Sequence, residues 1–314
     1  MSTSLVKQSF THEQMQAYRN QLVRLIEGLC PHDGKIKLLE GIGLYRISSP
    51  LELNYGVSSS AFCVTAQGSK KVIVGDENYE YDPMHYLIAT AELPIVSQIM
   101  EATKKLPYLA LSVRLDAATV NSVLASVGQI GTGGQTNVRA VDVSALDGNL
   151  LDPVVRLMRA LYTPNDAPYL AELIKREIIY RLFRSKQKDR LCHIARRSRD
   201  AHQIARAIEI LSSKYNQPLQ IADVAQEVGM SISGFYNHFR EVTAMSPLQF
   251  QKRLRLQTAR RLMLVENLDA SSAGYKVGYN DASHFNRDYK SLFGLPPIQD
   301  ISRLRHSNTS KETE

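Results

Sequence analysis

Two segments of this chain repeat each other fifty residues apart. "SISGFYNHFREVTAMSP" (231–247) and "DASHFNRDYKSLFGLPP" (281–297) align with Ser231 on Asp281, Ser233 on Ser283, Phe235 on Phe285, Phe239 on Tyr289, Arg240 on Lys290 and Pro247 on Pro297. Just upstream the shift becomes 49, with Ala225 on Gly274, Val228 on Val277 and Gly229 on Gly278. One inserted turn residue accounts for the change. Each copy reads as a short helix ("IADVAQEV", "ASSAGYKV"), a glycine, a turn, an N-cap and a second helix. Ser231 and Asp281 are good N-caps, because their oxygens accept from the orphan N–H groups of a first turn. Gly229 and Gly278 tolerate the positive φ of a helix end. The aromatic pairs lie four residues apart and therefore share one helix face. Small residues at 225 and 274 let the second helix cross the first closely. The unit is a helix-turn-helix, present twice.

If the aromatic faces are buried, the opposite faces are free. In the first copy these are Ser233, Tyr236, Asn237 and Arg240; in the second, Ala282, Ser283, His284 and Arg287, with Lys290 further along. Asn pairs with adenine and Arg with guanine through two hydrogen bonds, and a methyl or ring edge touches thymine. Ser233, Tyr236, Asn237, Ala282, Ser283, His284 and Arg287 are thus the predicted base readers of double-stranded DNA. Arg240 and Lys290, near the far ends, suit phosphate. Between the copies, "SPLQFQKRLRLQTARRLMLV" (246–265) is capped by Ser246, opened by Pro247 and apolar at Leu254, Leu262 and Met263. It predicts a rigid spacer holding the recognition helices about 34 Å apart, one turn of DNA.

Charge agrees with that partner. Residues 196–314 hold 17 Lys/Arg against 12 Asp/Glu, whereas residues 1–195 hold 21 against 19. Residues 240–261 alone carry Arg240, Lys252, Arg253, Arg255, Arg260 and Arg261 against Glu241. A local basic surplus suggests a polyanion, although charge runs are also common on solvated helix faces.

The N-terminal part differs in kind. After a helix over 12–29, short β-type runs follow: "IGLYRIS", "AFCVTAQ", "KKVIV", "NYEY", "HYLIAT" and "YLALSVRL". Closely spaced short strands predict a sandwich or barrel. A helix is expected over 117–127, a Gly-rich connection over 128–137 and a short strand in "VRAVDV". "DPVVRLMRALY" predicts a helix capped by Asp152 with Pro153 at its first position. With "YLAELIKREIIYRLF" (169–183) it makes a helical hairpin. Strands stop near Ala195, and "RRSRDAHQ" reads as a linker. The fold class is α+β: a β-barrel with flanking helices over 1–195, an all-α double helix-turn-helix over 196–306, and a tail over 307–314.

No apolar run reaches the ~20 residues of a membrane span, and "MSTSLVKQSF" lacks a signal-peptide layout. Cys30, Cys63 and Cys192 form neither a metal spacing nor a disulfide framework, which suits a reducing cytoplasm. His32 and His85 are isolated, so no metal and no cofactor is expected. Tyr55, Tyr81, His85 and Tyr86 are candidates for an effector pocket. Cys63, in an apolar run, reads as a small hydrophobe. Cys192, near Arg190, Arg196 and Arg197, is the candidate for a cation-activated thiol. No catalytic constellation is read from residue order, so the chain is expected not to be an enzyme. The competing reading is a cupin-type or cysteine-dependent enzyme with the paired helices as an appendage.

The sequence "VGYNDASHFNRDYKSLFGLPP" resembles the signature of the arabinose-regulator (AraC/XylS) family of bacterial transcription factors. "ADVAQEVGMSISGFYNHFREVTAMSPLQFQKRLRLQTARRLM" is similar to the other half of that family's DNA-binding domain. The resemblance covers 202–305, with two departures: Gly274 stands where the family has Ala, which predicts a looser first helix in the second copy, and Ala282-Ser283-His284 is a modest set of base readers, which predicts less sequence discrimination by the second copy than by the first. The N-terminal runs, including "CVTAQGSKKVIVGDENYEYD", "LLDPVVRLMRAL" and "LIKREIIYRLF", are similar to the cupin-like sensor of one branch. The resemblance implies an effector-responsive regulator that dimerises through its N-terminal part, binds an operator and has RNA polymerase as its downstream partner. The effector itself is not implied.

Overall fold

A computed structural model describes residues 10–128, 138–195 and 199–309. Helix α1 (His12–Leu29) begins in a capping box, with Thr11 accepting from the Gln14 amide and the Gln14 side chain accepting from the Thr11 amide. Among the described residues ten strands follow in two antiparallel sheets. The larger contains β1 (Gly34–Leu39), β2 (Ile42–Ile47), β9 (Tyr108–Arg114), β4 (Ala61–Gln67), β7 (His85–Ala89) and β10 (Val141–Ala145), in that spatial order. The smaller runs β3 (Leu51–Val57), β8 (Pro94–Glu101), β5 (Ser69–Val74) and β6 (Glu77–Tyr81). The sequence reading missed β1, β3 and β8. The β8 stretch carries polar residues on both faces, so its period-two signal is weak, whereas β3 (LELNYGV) alternates cleanly and was passed over.

Alternation divides the larger sheet. Leu44, Phe62, Ile88 and Leu111 point one way and are buried with α1 residues Leu22 and Ile26. Tyr45, Tyr108 and Ala110 point the other way, against Ile99 of the smaller sheet. Two sheets packed face to face is what the barrel expectation requires.

Helix α2 (Ala117–Ser126) is capped by Asp116, whose carboxylate also meets Lys175 at 2.5 Å. Helices α3 (Gly148–Ala160) and α4 (Ala167–Phe183) pack as the expected hairpin. The start of α3 differs from expectation. Asp147 is the cap, accepting from the Leu150 amide, and Pro153 lies inside the helix. Early in a helix a proline removes a single intrahelical donor, and Asp152 bonds Arg156 instead of capping. Helix α5 (Lys188–Ala195) completes this part. The Gly-rich connection over 129–137, Arg196, Arg197 and the end of the tail lie outside the described residues.

The rest is helical: α6 (Arg199–Ser213), α7 (Ile221–Glu227), α8 (Ile232–Thr243), α9 (Pro247–Val265), α10 (Ala270–Lys276), α11 (Ala282–Phe293) and α12 (Pro297–Thr309). Helix α6 takes up most of the segment read as a linker, and α12 runs past the expected end at 306. No described helix is long and apolar enough to cross a membrane.

The two parts share a core. Val72, Val74 and Leu87 belong to the same buried cluster as Ile208, Phe235 and Phe239. Arg139, just before β10, donates to the carbonyls of Arg240 and Glu241 at the end of α8 and pairs with Glu77. Gly75 turns at φ +60° against Ala244, where a Cβ would fall on the Ala244 carbonyl. Tyr55 of β3 donates to the Leu292 carbonyl at 3.1 Å and packs edge-on to Phe293.

Candidate nucleic-acid interface

Each recognition helix is oriented by its aromatic face. Phe235, Phe239, Phe285 and Tyr289 are all 0% exposed, as their i, i+4 spacing predicts. The caps are as expected: Ser231 accepts from the Gly234 amide, and Asp281 accepts from the Ser283 and His284 amides. These amide donors hold the Asp281 carboxyl below its usual range. Gly229 and Gly278 have φ of +73° and +91°. At Gly278 a Cβ would fall on the Asn216 carbonyl, so this position also seats the second unit against the first. Gly274 is a packing feature and not a loose point: a Cβ there would sit 3.0 Å from Cγ of Phe285, so glycine lets that ring lie against α10.

The opposite faces are open. Ser233, Asn237 and Arg240 are exposed and Tyr236 is half-buried. Ser283, His284, Arg287 and Lys290 are exposed and Ala282 is half-buried. Asn286 is exposed on the same helix and was not singled out from sequence. Its position between Phe285 and Arg287 was the available signal.

The basic run of 240–261 is largely used inside the protein. Arg260 forms a buried two-toothed pair with Asp300, at 2.7 and 2.8 Å. Arg255 donates to the carbonyls of Tyr215, Gln217 and Gly278, tying the two units together. Lys252 reaches Asp288 at 2.8 Å, and Arg261 pairs with Glu266. The net charge of this stretch therefore overstated what is offered to a polyanion. From sequence, Asp288 was only an acid close to the second recognition face. It is buried, accepts from Lys252 and the Tyr279 hydroxyl, and fixes α11 to α9. Burial, and after it the Asp288 carboxylate, push the Tyr279 phenol up. Beside it, a cleft of about 440 Å³ opens between the starts of α9 and α11, lined by Leu248, Lys252, Arg255 and His284 among others.

The four candidate pocket residues are not brought together. Tyr55 is at the junction with α11, over Arg260 at 5.0 Å. Tyr86 points to the helix-covered face and packs on Phe62. His85 pairs with Asp82 at the start of β7. Only Tyr81 is buried between the sheets, where burial pushes its phenol up. Cys192 is buried, an environment unlike that of an activated surface thiol, and burial pushes the Cys63 thiol up. Among the described residues no group of three or more His, Cys, Asp or Glu could hold a metal ion.

A two-sheet domain joined to paired helix-turn-helix units is the architecture of single-chain transcriptional regulators. Residues 38–190 match the family of the AraC-type transcriptional regulator N-terminus, and residues 224–303 match a helix-turn-helix domain family. The chain belongs to the AraC family of transcriptional regulators. It is 22% identical over 161 residues to the HTH-type transcriptional regulator ArgR of Pseudomonas aeruginosa, covering 51% of this chain and 49% of that protein. It is 30% identical over 100 residues to a probable thc operon regulatory protein of Rhodococcus erythropolis, covering 30% of each. The chain thus spans about half or less of the length of these relatives. Among solved structures, apo ToxT of Vibrio cholerae superposes with a TM-score of 0.53 at 11% identity, covering 83% of this chain and 96% of that one. Unsaturated fatty acid-bound ToxT gives 0.51 at 12%, covering 83% and 94%. At that identity the likeness is one of fold.

Proposed function

We propose that the chain is a sequence-specific DNA-binding transcriptional regulator, responsive to a small effector, and not an enzyme. The observation that carries the reading is the sidedness of α8 and α11: aromatics inward, small polar and basic groups outward. Asn237 and Arg287 read bases, helped by Ser233, Tyr236, Ala282, Ser283 and His284. Arg240 and Lys290 hold phosphates. The expected unit boundaries are 1–195 and 196–306, and the working compartment is the cytoplasm. RNA polymerase is the downstream partner by family resemblance. An effector is supported by the fold shared with ToxT, which has been solved bound to an unsaturated fatty acid. The expected homodimer would use α4, which leaves Tyr169, Leu173 and Tyr180 exposed along one side. An apolar stripe of this kind suits a partner surface.

The test starts from genomic fragments selected by the full chain. Asn237→Ala and Arg287→Ala are each expected to weaken the selected site by about 1–3 kcal/mol, with little loss on random DNA. Arg240→Ala is expected to weaken both equally and to flatten the salt dependence. Equal losses on selected and random DNA for the first two variants would remove them as base readers.

A further inference from the structure

Both recognition helices end against the β-domain, and they end differently. The last turn of any helix leaves carbonyls without partners inside the helix. At α11 the β-domain supplies one neutral donor, the Tyr55 hydroxyl, to the Leu292 carbonyl. At α8 it supplies a cation and an amide. Nη1 of Arg139 donates to the carbonyls of Arg240 and Glu241, at 2.6 and 2.8 Å, and the Ala140 amide donates to the Val242 carbonyl at 3.1 Å. Three successive carbonyls of α8 are thus held by two successive residues of the β-domain. A guanidinium suits this place, because the C-terminal end of a helix carries partial negative charge.

Arg139 is itself held by two further elements. Its other terminal nitrogen, Nη2, donates to Glu77 at the start of β6, at 3.2 Å. Its carbonyl accepts from Nε of Arg190 in α5, at 2.9 Å. Arg190 also donates to Gln187 and pairs with Asp142. Gln187 is fully buried and donates to Asp142 and Ser144 of β10. The turn at Gly75 closes on Ala244, the residue that ends α8. The end of α8 is therefore seated by the start of β6, the lead into β10 and, through Arg190, by α5. Asn237 lies three residues before the first gripped carbonyl and is exposed. A two-bond contact to a base edge is directional, and a binding constellation must be held to within about 0.5 Å. Movement at the end of α8 is felt there.

We propose that Arg139 is a positioning residue for DNA recognition: by gripping the end of α8 it fixes the angle at which Asn237 meets its base, so that discrimination by the first unit depends on a side chain of the β-domain. This rests on the reading of α8 as a base-reading helix and adds to it a residue from outside the paired helices. Arg139 acts through α8 and not on DNA, since both its terminal nitrogens already donate to protein acceptors. The single neutral donor at α11 gives the second unit a weaker dependence of this kind.

The test measures binding of the full chain to the selected site and to altered sites. First-half positions are those whose alteration Asn237→Ala no longer feels, and second-half positions those that Arg287→Ala no longer feels. Arg139→Met keeps the aliphatic stem and removes the donors. It is expected to cut discrimination at first-half positions about fivefold or more, the scale of one mismatched base pair. Second-half discrimination and the salt dependence of affinity are expected to stay as they are. Arg139→Lys retains a donor for the α8 carbonyls and is expected to recover much of the loss. Arg190→Met, which releases the Arg139 backbone, is expected to lower first-half discrimination by less, and it carries the test if Arg139→Met does not unfold cooperatively in urea. Equal loss at both halves makes Arg139 a stabilising cap only, and a salt slope reduced by about one makes it a phosphate contact. Either result overturns the proposal, as does unchanged first-half discrimination in Arg139→Met, or in Arg190→Met where that variant carries the test. If no position depends on Asn237, the base-reading assignment of α8 falls and this inference with it. If the Asn237 dependence is intact while both β-domain variants discriminate like the parent, this inference falls alone.

Discussion

Phe250 and Asp300 stand fifty residues apart, each beneath its own recognition helix. In the first unit Phe250 meets Phe239 ring to ring, with centroids 5.4 Å apart. In the second, the equivalent pair is Tyr289 and Asp300, joined by a 2.8 Å hydrogen bond and completed by Arg260. Burial and the Asp300 carboxylate push the Tyr289 phenol up, so it remains a donor. One repeat closes its core with apolar contact and the other with a buried ion pair. The ionic core has a link that the apolar one lacks: the Arg260 guanidinium also stacks on Tyr55 of the β-domain, which holds the end of α11. The first unit meets the β-domain by other means, through Arg139 and the turn at Gly75. A repeated skeleton thus tolerates opposite core chemistry, provided each buried group has its partner.

The largest expected effects probe that contrast. Asp300→Ala leaves the Arg260 charge buried without its partner and is expected to cost about 3–5 kcal/mol in urea unfolding. Replacing both partners, as Arg260→Met with Asp300→Leu, should recover most of the loss, because apolar groups of similar volume often substitute for a buried pair. If the double variant is as unstable as the single one, the pair is doing more than satisfying itself. Phe239→Ala should cost about 3–5 kcal/mol by cavity formation, with no second substitution that restores it so simply. Next come the helix ends. Ala244 and Gly294 are equivalent, and both are left-handed, at φ 59° and 81°. Gly294→Ala is expected to cost about 1 kcal/mol, whereas Ala244→Gly should gain less than that, since the Ala244 methyl is packed against the β-domain turn. A loss of the same size as at Gly294 is expected for Tyr55→Phe. It removes the hydrogen bond to Leu292 and should cost about 1 kcal/mol. Hydrogen exchange in α11 should rise while exchange in α8 does not change.

Legibility followed how local each signal was. The caps at Ser231 and Asp281, the glycines at 229 and 278 and the aromatic pairs are fixed by neighbours within one or two turns, so periodicity alone located them. The β-domain was half legible: six strands before β10 were found and β1, β3 and β8 were not, β8 because polar residues fall on both its faces and β3 despite its clean alternation. The cap of α3 was misjudged because Asp152-Pro153 is a strong local signal, and Asp147 won by bonding the Leu150 amide five residues earlier.

By itself the sequence determined the repeat and the sides of both recognition helices, because each depends on spacing along the chain; the last described strand ends at Ala145, about fifty residues before the point near 195 where the sequence placed the end of the strands. Tertiary structure decided what the charges do. It turned Arg255, Arg260, Lys252 and Asp288 into internal ties. Charge pairing depends on which residues meet across tens or hundreds of positions, and no count of basic residues along the chain carries that information.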